Sequence, residues 1–176
     1  MAEIQDMARR LGLLSFHIKL LLGIPMEDFT EAFIACMSQE IIKDGELNKR
    51  ASKECLRLCR DLDDLLETYK YIHPEMLLEF AKMWEKFCFT KIDQVATLDE
   101  ASSLYEKITI LKDSCNAPVK RKLLDVWEQL SKKEAEKNER LEELVYVFQK
   151  SPSLICEGVK IALKKIAKIY GIEPGI

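Results

Sequence analysis

Residues able to do acid–base or nucleophilic chemistry are thinly supplied: the 176 residues hold two histidines, His17 and His73. Arg10 and His17 lie seven positions apart, two helical turns, so a helix would bring both to one face. There an imidazole can exchange a proton while a guanidinium holds a phosphate. Asp63, Asp64 and Glu67 are spaced so that two carboxylates project together, the arrangement that a shared divalent cation requires. Cys55 and Cys59 sit one turn apart, a chelating spacing, but tetrahedral zinc needs two more ligands and no second short cysteine pair supplies them. Phosphate-cradling glycine loops, paired-histidine zinc helices and serine elbows are not found in the sequence. The expectation is therefore no catalytic residue, no metal and no cofactor. The most biased segment is C-terminal: Lys160, Lys164, Lys165 and Lys168 fall between Gly158 and Gly171 with no acidic residue among them. Lys160, Lys164 and Lys168 form a stripe at i, i+4 and i+8 that suits an acidic partner, a phosphate backbone or the helix's own C-terminal dipole.

Such side chains need elements to position them, and composition says which. Gly 6 and Pro 5 amount to about half of average usage, while 48% of residues are hydrophobic and 32% charged. Few turn-formers with many apolar and charged residues indicate long amphipathic helices, and argue against sandwiches, barrels and disordered chains. Lys+Arg 27 against Asp+Glu 30 leaves a net charge of -3, so no global attraction to nucleic acid or acidic lipid is expected. The apolar run from Leu11 to Ile24 is interrupted by His17 and Lys19 and is too short to cross a bilayer, so no transmembrane segment is expected.

Apolar residues recur at the helical period almost throughout. A first helix carries Ile4, Met7, Leu11, Leu14, Ile18 and Leu21, and Gly23-Ile24-Pro25 breaks it. Pro25 suits the first turn of a second helix, with Met26, Phe29, Phe33 and Cys36, which stops at Lys43-Asp44-Gly45. The third and longest, Cys55 to Ile72, should end at His73, the residue before a proline. Pro74 opens a fourth, with Leu77, Phe80, Trp84 and Phe87. Thr97-Leu98-Asp99-Glu100 has the capping-box pattern, so a fifth helix starts there and runs to about Lys112. Pro118 begins a sixth, with Leu123 and Trp127; charged residues 132–140 then continue or kink it before Leu141. Ser151-Pro152-Ser153 precedes a last helix with Ile155, Val159, Ala162, Ile166 and Ile169. This predicts an all-α fold of about seven helices in one domain, residues 1–176. Its parts are N-terminal helices (1–73), two tryptophan-bearing hairpins (74–150) and a basic C-terminal helix (151–176).

A shift of 43 residues places Trp84 on Trp127, Glu85 on Glu128, Leu98 on Leu141, Glu100 on Glu143 and Lys107 on Lys150. A period of that size resembles the helical hairpins of HEAT-type solenoids, which implies a short superhelix as the alternative to a compact bundle. Three further likenesses rest on shorter stretches. The Arg10–His17 spacing resembles that of HEPN-type all-helical ribonucleases and implies a small nuclease. The Asp63-Asp64-Leu65-Leu66-Glu67 run is similar to the acidic cluster with which isoprenoid synthases hold magnesium diphosphate, without the second acidic helix of that family. Lys91-Ile92-Asp93-Gln94-Val95 with Leu104-Tyr105-Glu106-Lys107-Ile108 resembles helical interaction bundles of the TFIIS N-terminal type.

The six cysteines are widely spaced and mostly lie in apolar helical patterns, so they read as reduced core residues of an intracellular protein, cytoplasmic or nuclear. Aromatics that fall off the apolar stripes, Tyr71, Phe89 and Tyr146, are the candidates for an interface. The function that follows is a non-catalytic interaction or adaptor module whose partner is another protein. A nucleoprotein subunit holding nucleic acid through the lysine stripe is the alternative, and a HEPN-like ribonuclease the second.

Overall fold

The computed structural model describes residues 16, 18–37, 44–111 and 116–173. Eight α-helices have both ends among them: α1 (Phe29–Met37), α2 (Gly45–Leu58), α3 (Leu62–Tyr69), α4 (Leu77–Asp93), α5 (Leu98–Ile108), α6 (Ala117–Lys137), α7 (Leu141–Lys150) and α8 (Glu157–Ile169); residues 18–21 are helical as well. A 3-10 turn, Pro74–Met76, leads into α4, and no strand occurs among the described residues. The chain is all-α, with its helices packed on one another. It divides into two compact units, residues 1–87 and 88–176, and the division falls within α4.

In the first unit α1 lies against α2. Ala32, Ala35 and Cys36 on α1 and Ala51 and Cys55 on α2 are all buried, and their small side chains let the two helices approach closely. Phe29, Phe33 and Tyr71 cover this contact from its rim. α1 begins at Phe29, not at Pro25, because Asp28 is its cap. Asp28 Oδ1 accepts Glu31 N–H at 2.9 Å, and the Glu31 carboxylate accepts Glu27 N–H at 3.0 Å. Met26 is buried in the connection instead, held by Glu54 and Arg57 of α2. Its N–H donates to Glu54 Oε2 at 3.0 Å, and its carbonyl accepts from Arg57 Nη2 at 2.9 Å.

The expected long third helix is two helices. α2 stops at Leu58, Cys59 turns extended (ψ 132°), and Asp61 caps α3 by accepting Asp64 N–H at 2.9 Å. Arg60 N–H donates to Asp64 Oδ2 at 3.0 Å and closes the same corner. An unbroken apolar stripe concealed this break, since both helices bury the same side. Gly45, expected to end a helix, begins one: Asp44 Oδ1 accepts Glu46 N–H and Leu47 N–H at 3.0 and 3.1 Å. In α4 the buried row is Phe80, Trp84, Cys88 and Ile92, a strict i+4 ridge that leaves Leu77 exposed.

In the second unit α6 is the common neighbour of α5, α7 and α8. Thr97 Oγ1 accepts Glu100 N–H at 3.2 Å and the Glu100 carboxylate accepts Ala96 N–H at 2.8 Å, so the capping signal read from the sequence marks the start of α5. That helix ends at Ile108 rather than near Lys112. The charged stretch after Leu130 continues α6 to Lys137, with Ser131 and Ala135 buried along its inner face. Trp127 turns its indole Nε1–H onto the Lys150 carbonyl at the end of α7, 2.7 Å away, and packs against the Tyr105 ring.

Candidate functional site

α8 is held against α6 by small residues on both sides. Gly158 faces Ser131, and Ala162 of α8 and Ala135 of α6 are buried as well. A Cβ on Gly158 would overlap Ser131 Oγ and lie 2.5 Å from the Ser131 carbonyl carbon and 2.7 Å from Lys132 N. Only glycine admits this approach. At the far end Gly171 (φ 67°) closes a Schellman motif, with Gly171 N–H on the Lys168 carbonyl at 3.2 Å and Ile172 N–H on the Ala167 carbonyl at 2.8 Å. Fixed at both ends, α8 presents one face outward.

That face carries the predicted stripe: Lys160, Lys164 and Lys168 are exposed. They are not equivalent. Lys160 pairs with Glu157 at 3.2 Å, whereas Lys164 and Lys168 have no partner among the described residues. Lys165 belongs to the fold. Its ammonium donates to the carbonyls of Glu136 (3.0 Å) and Asn138 (2.9 Å) and to Glu139 Oε1 (2.6 Å), capping the C-terminal end of α6. Lys164 and Lys168 line a pocket with Gly171, Ile172 and Glu173, and Leu163 (46% exposed) and Tyr170 (63%) are also exposed on this part of the chain. Neither was singled out from sequence, although Leu163 falls outside the Val159–Ala162–Ile166 stripe and a helical projection would have found it. Ile155, expected on the buried stripe, precedes the helix and is 80% exposed, because α8 starts only after Cys156.

The three off-stripe aromatics go elsewhere. Tyr71 is half-buried on the α1–α2 core and meets the Phe33 ring edge-on at 5.6 Å. Phe89 is half-buried, with the Lys122 ammonium 4.5 Å from its ring centroid; that lysine also pairs with Asp93 at 3.0 Å. Tyr146 is half-buried on α7. Its hydrogen bond to the Asp99 carboxylate, followed by burial and the charges of Asp99 and Glu134, pushes its phenol up to about 12. Each ring thus has local partners within its own unit.

The acidic run of α3 is engaged in its own helix: Asp64 holds the Arg60 corner, and Glu67 pairs with Lys70 at 3.2 Å. His73 caps the 3-10 turn, its Nδ1 accepting Glu75 N–H at 3.2 Å while its own N–H donates to Ser52 Oγ at 2.9 Å. Cys55 and Cys59 diverge. Cys55 Sγ faces Cys36 Sγ at 3.2 Å, and Cys59 Sγ faces Thr68 Oγ1 at 3.5 Å. Burial pushes the Cys59 thiol up to about 11 and the Cys88 thiol up to about 12. The described cysteines, at 36, 55, 59, 88 and 156, are buried and unbridged. Among the described residues no group of three potential ligands is placed to hold a metal ion. Arg10, His17 and Cys115 lie outside the described residues. Residues 91–108 line a shallow cleft of about 400 Å³ between the end of α4 and α5, formed by Lys91, Gln94, Val95, Leu104 and Lys107.

Among the described residues no helix is long and apolar enough to cross a membrane. Compared with known proteins, the chain matches no family model, no curated protein and no solved structure.

Proposed function

We propose that this chain is a non-catalytic interaction module that offers the outer face of α8 to an acidic, apolar-bearing segment of another protein. The observation that supports it is the composition of that face. Lys164 and Lys168, unpaired among the described residues, share a pocket with exposed Ile172, and Leu163 and Tyr170 are exposed nearby in sequence, on a helix fixed by a glycine contact and a Schellman turn. Charge alone would suit a phosphate backbone; the apolar area exposed on the same segment favours a protein partner, which gains from burying it. Buried, unbridged cysteines support an intracellular, reducing setting for this role. The helical-hairpin repeat belongs to the same reading, as α5 begins at Leu98 and α7 at Leu141, 43 residues apart.

The test uses three probes: an acidic amphipathic helical peptide, its neutral Gln counterpart and a short duplex DNA. Binding of the acidic peptide is expected to be lost in Lys164→Glu/Lys168→Glu and weakened at least about tenfold in Leu163→Ser/Tyr170→Ser, the scale of an interface anchor. Duplex binding that falls steeply with salt and ignores Leu163→Ser/Tyr170→Ser would instead establish the nucleic-acid alternative. No binding of either charged probe removes α8 as the site.

A further inference from the structure

We propose that Cys36 and Cys55 form a dithiol that closes into a disulfide, stapling α1 to α2, when the chain meets a hydroperoxide. The two sulfurs are 3.2 Å apart, nearer than unbonded sulfur atoms pack, on residues 19 positions apart in the chain. The contact is built for proximity, since Ala32, Ala35 and Ala51 around it are fully buried and small enough to bring the two helix backbones together. Cys59, the cysteine nearest to Cys55 in sequence, is turned away toward Thr68.

The surroundings divide the roles. The Cys55 thiol donates to Cys36 Sγ, and this holds Cys36 below the ordinary thiol value despite burial, while Cys55 itself is raised. Ser52 Oγ is 3.9 Å from Cys36 Sγ and accepts His73 N–H, which leaves its hydroxyl proton free to turn toward an ionised sulfur. Cys36 is therefore the attacking thiolate and Cys55 the resolving thiol. The Cys36 thiolate attacks one peroxide oxygen: the S–O bond forms, the O–O bond breaks, and hydroxide leaves and takes up a proton as water. Cys55 then attacks the Cys36 sulfenic sulfur: the S–S bond forms, the S–O bond breaks, and the Cys55 proton leaves with the oxygen as the second water. Two thiols lose two electrons and hydrogen peroxide gains them. Hydrogen peroxide is close to water in size, so a local opening of α1 admits it.

The experiment treats the full chain with hydrogen peroxide, removes the excess with catalase, alkylates under denaturing conditions and digests with trypsin. Cleavage after Lys43, Lys53 and Arg57 separates Cys36, Cys55 and Cys59 into three peptides. The expected result is peptide 20–43 joined to peptide 54–57 as the dominant bridged species, abolished by dithiothreitol and absent in Cys36→Ala and in Cys55→Ala. Cys59→Ala should bridge as the wild type does, which separates pairing from any general loss of folding. Recovery of Cys36 and Cys55 as separate alkylated or over-oxidised peptides would overturn the proposal, as would equal bridging to Cys59.

Discussion

Gly158 and Gly45 make a matched pair whose substitutions should move stability in opposite directions. Both sit in the first turn of a helix, and neither has a positive φ. A Cβ on Gly45 meets nothing within 4 Å, whereas one on Gly158 lies 2.5 and 2.7 Å from backbone atoms of α6. Replacing a helical glycine by alanine gains up to about 1 kcal/mol from backbone entropy. At Gly45 that gain stands alone. At Gly158 the backbone of Ser131 and Lys132 cannot rotate aside as a side chain would, so α8 must move off α6 by about 1 Å. The contacts of buried Val159 and Ala162 then loosen, and overpacking of this kind costs about 1–3 kcal/mol. The net expectation for Gly158→Ala is a loss of roughly 1–2 kcal/mol, or about 0.5–1 M in the urea midpoint at a typical slope. Gly45→Ala should leave the midpoint unchanged or raise it. Equilibrium urea unfolding followed by helical circular dichroism reads both. Adding Ser131→Gly to Gly158→Ala should not restore the midpoint, because removing the hydroxyl leaves the two backbone overlaps. A Gly158→Ala chain as stable as the Gly45→Ala chain would refute the close approach and, with it, the fixed orientation of α8.

Two further predictions concern protons. Tyr146 is raised from 10.0 to about 12, so the neutral phenol is the form that the folded state favours. Its contribution is complete below pH 10 and is lost as pH rises toward 12, and Tyr146→Phe should remove that part of the alkaline destabilisation in urea midpoints taken across the window. Glu54 is held below its ordinary 4.5, chiefly by Arg57, so its contribution is present above that pH and lost as pH falls below it. Glu54→Gln, which weakens the hold on Met26 and Arg57, should cost about 1–2 kcal/mol at neutral pH. The gap to wild type should narrow under acid; a gap independent of pH would mean that the charge of Glu54 is not what holds the connection.

How far the sequence reached can be judged from particular residues. The capping box at Thr97–Glu100 was legible, because its donors and acceptors lie within four residues and need nothing else. Asp28–Glu31 is the same kind of signal and equally local, but Pro25 three residues earlier drew the helix start toward itself. The break at Cys59–Asp61 was concealed by periodicity: apolar spacing reports which side is buried, and both helices bury the same one. The lysine stripe was legible as a stripe. Which of its members are free was not, since Lys165 is occupied by carbonyls of residues 136 and 138, at the end of another helix.

What the sequence determined by itself is the local part: an all-helical chain, caps at particular residues, and a basic last helix with its lysines along one side. Each follows from interactions spanning one or two turns. Tertiary structure decided the rest. It alone brings Cys55 to Cys36 rather than to Cys59, sets Gly158 against Ser131, places Tyr71 on a core and leaves Lys164 and Lys168, but not Lys165, without a partner among the described residues. These relations join residues 19 or more positions apart or depend on which face a packed neighbour covers, and helical spacing carries no information about the neighbour.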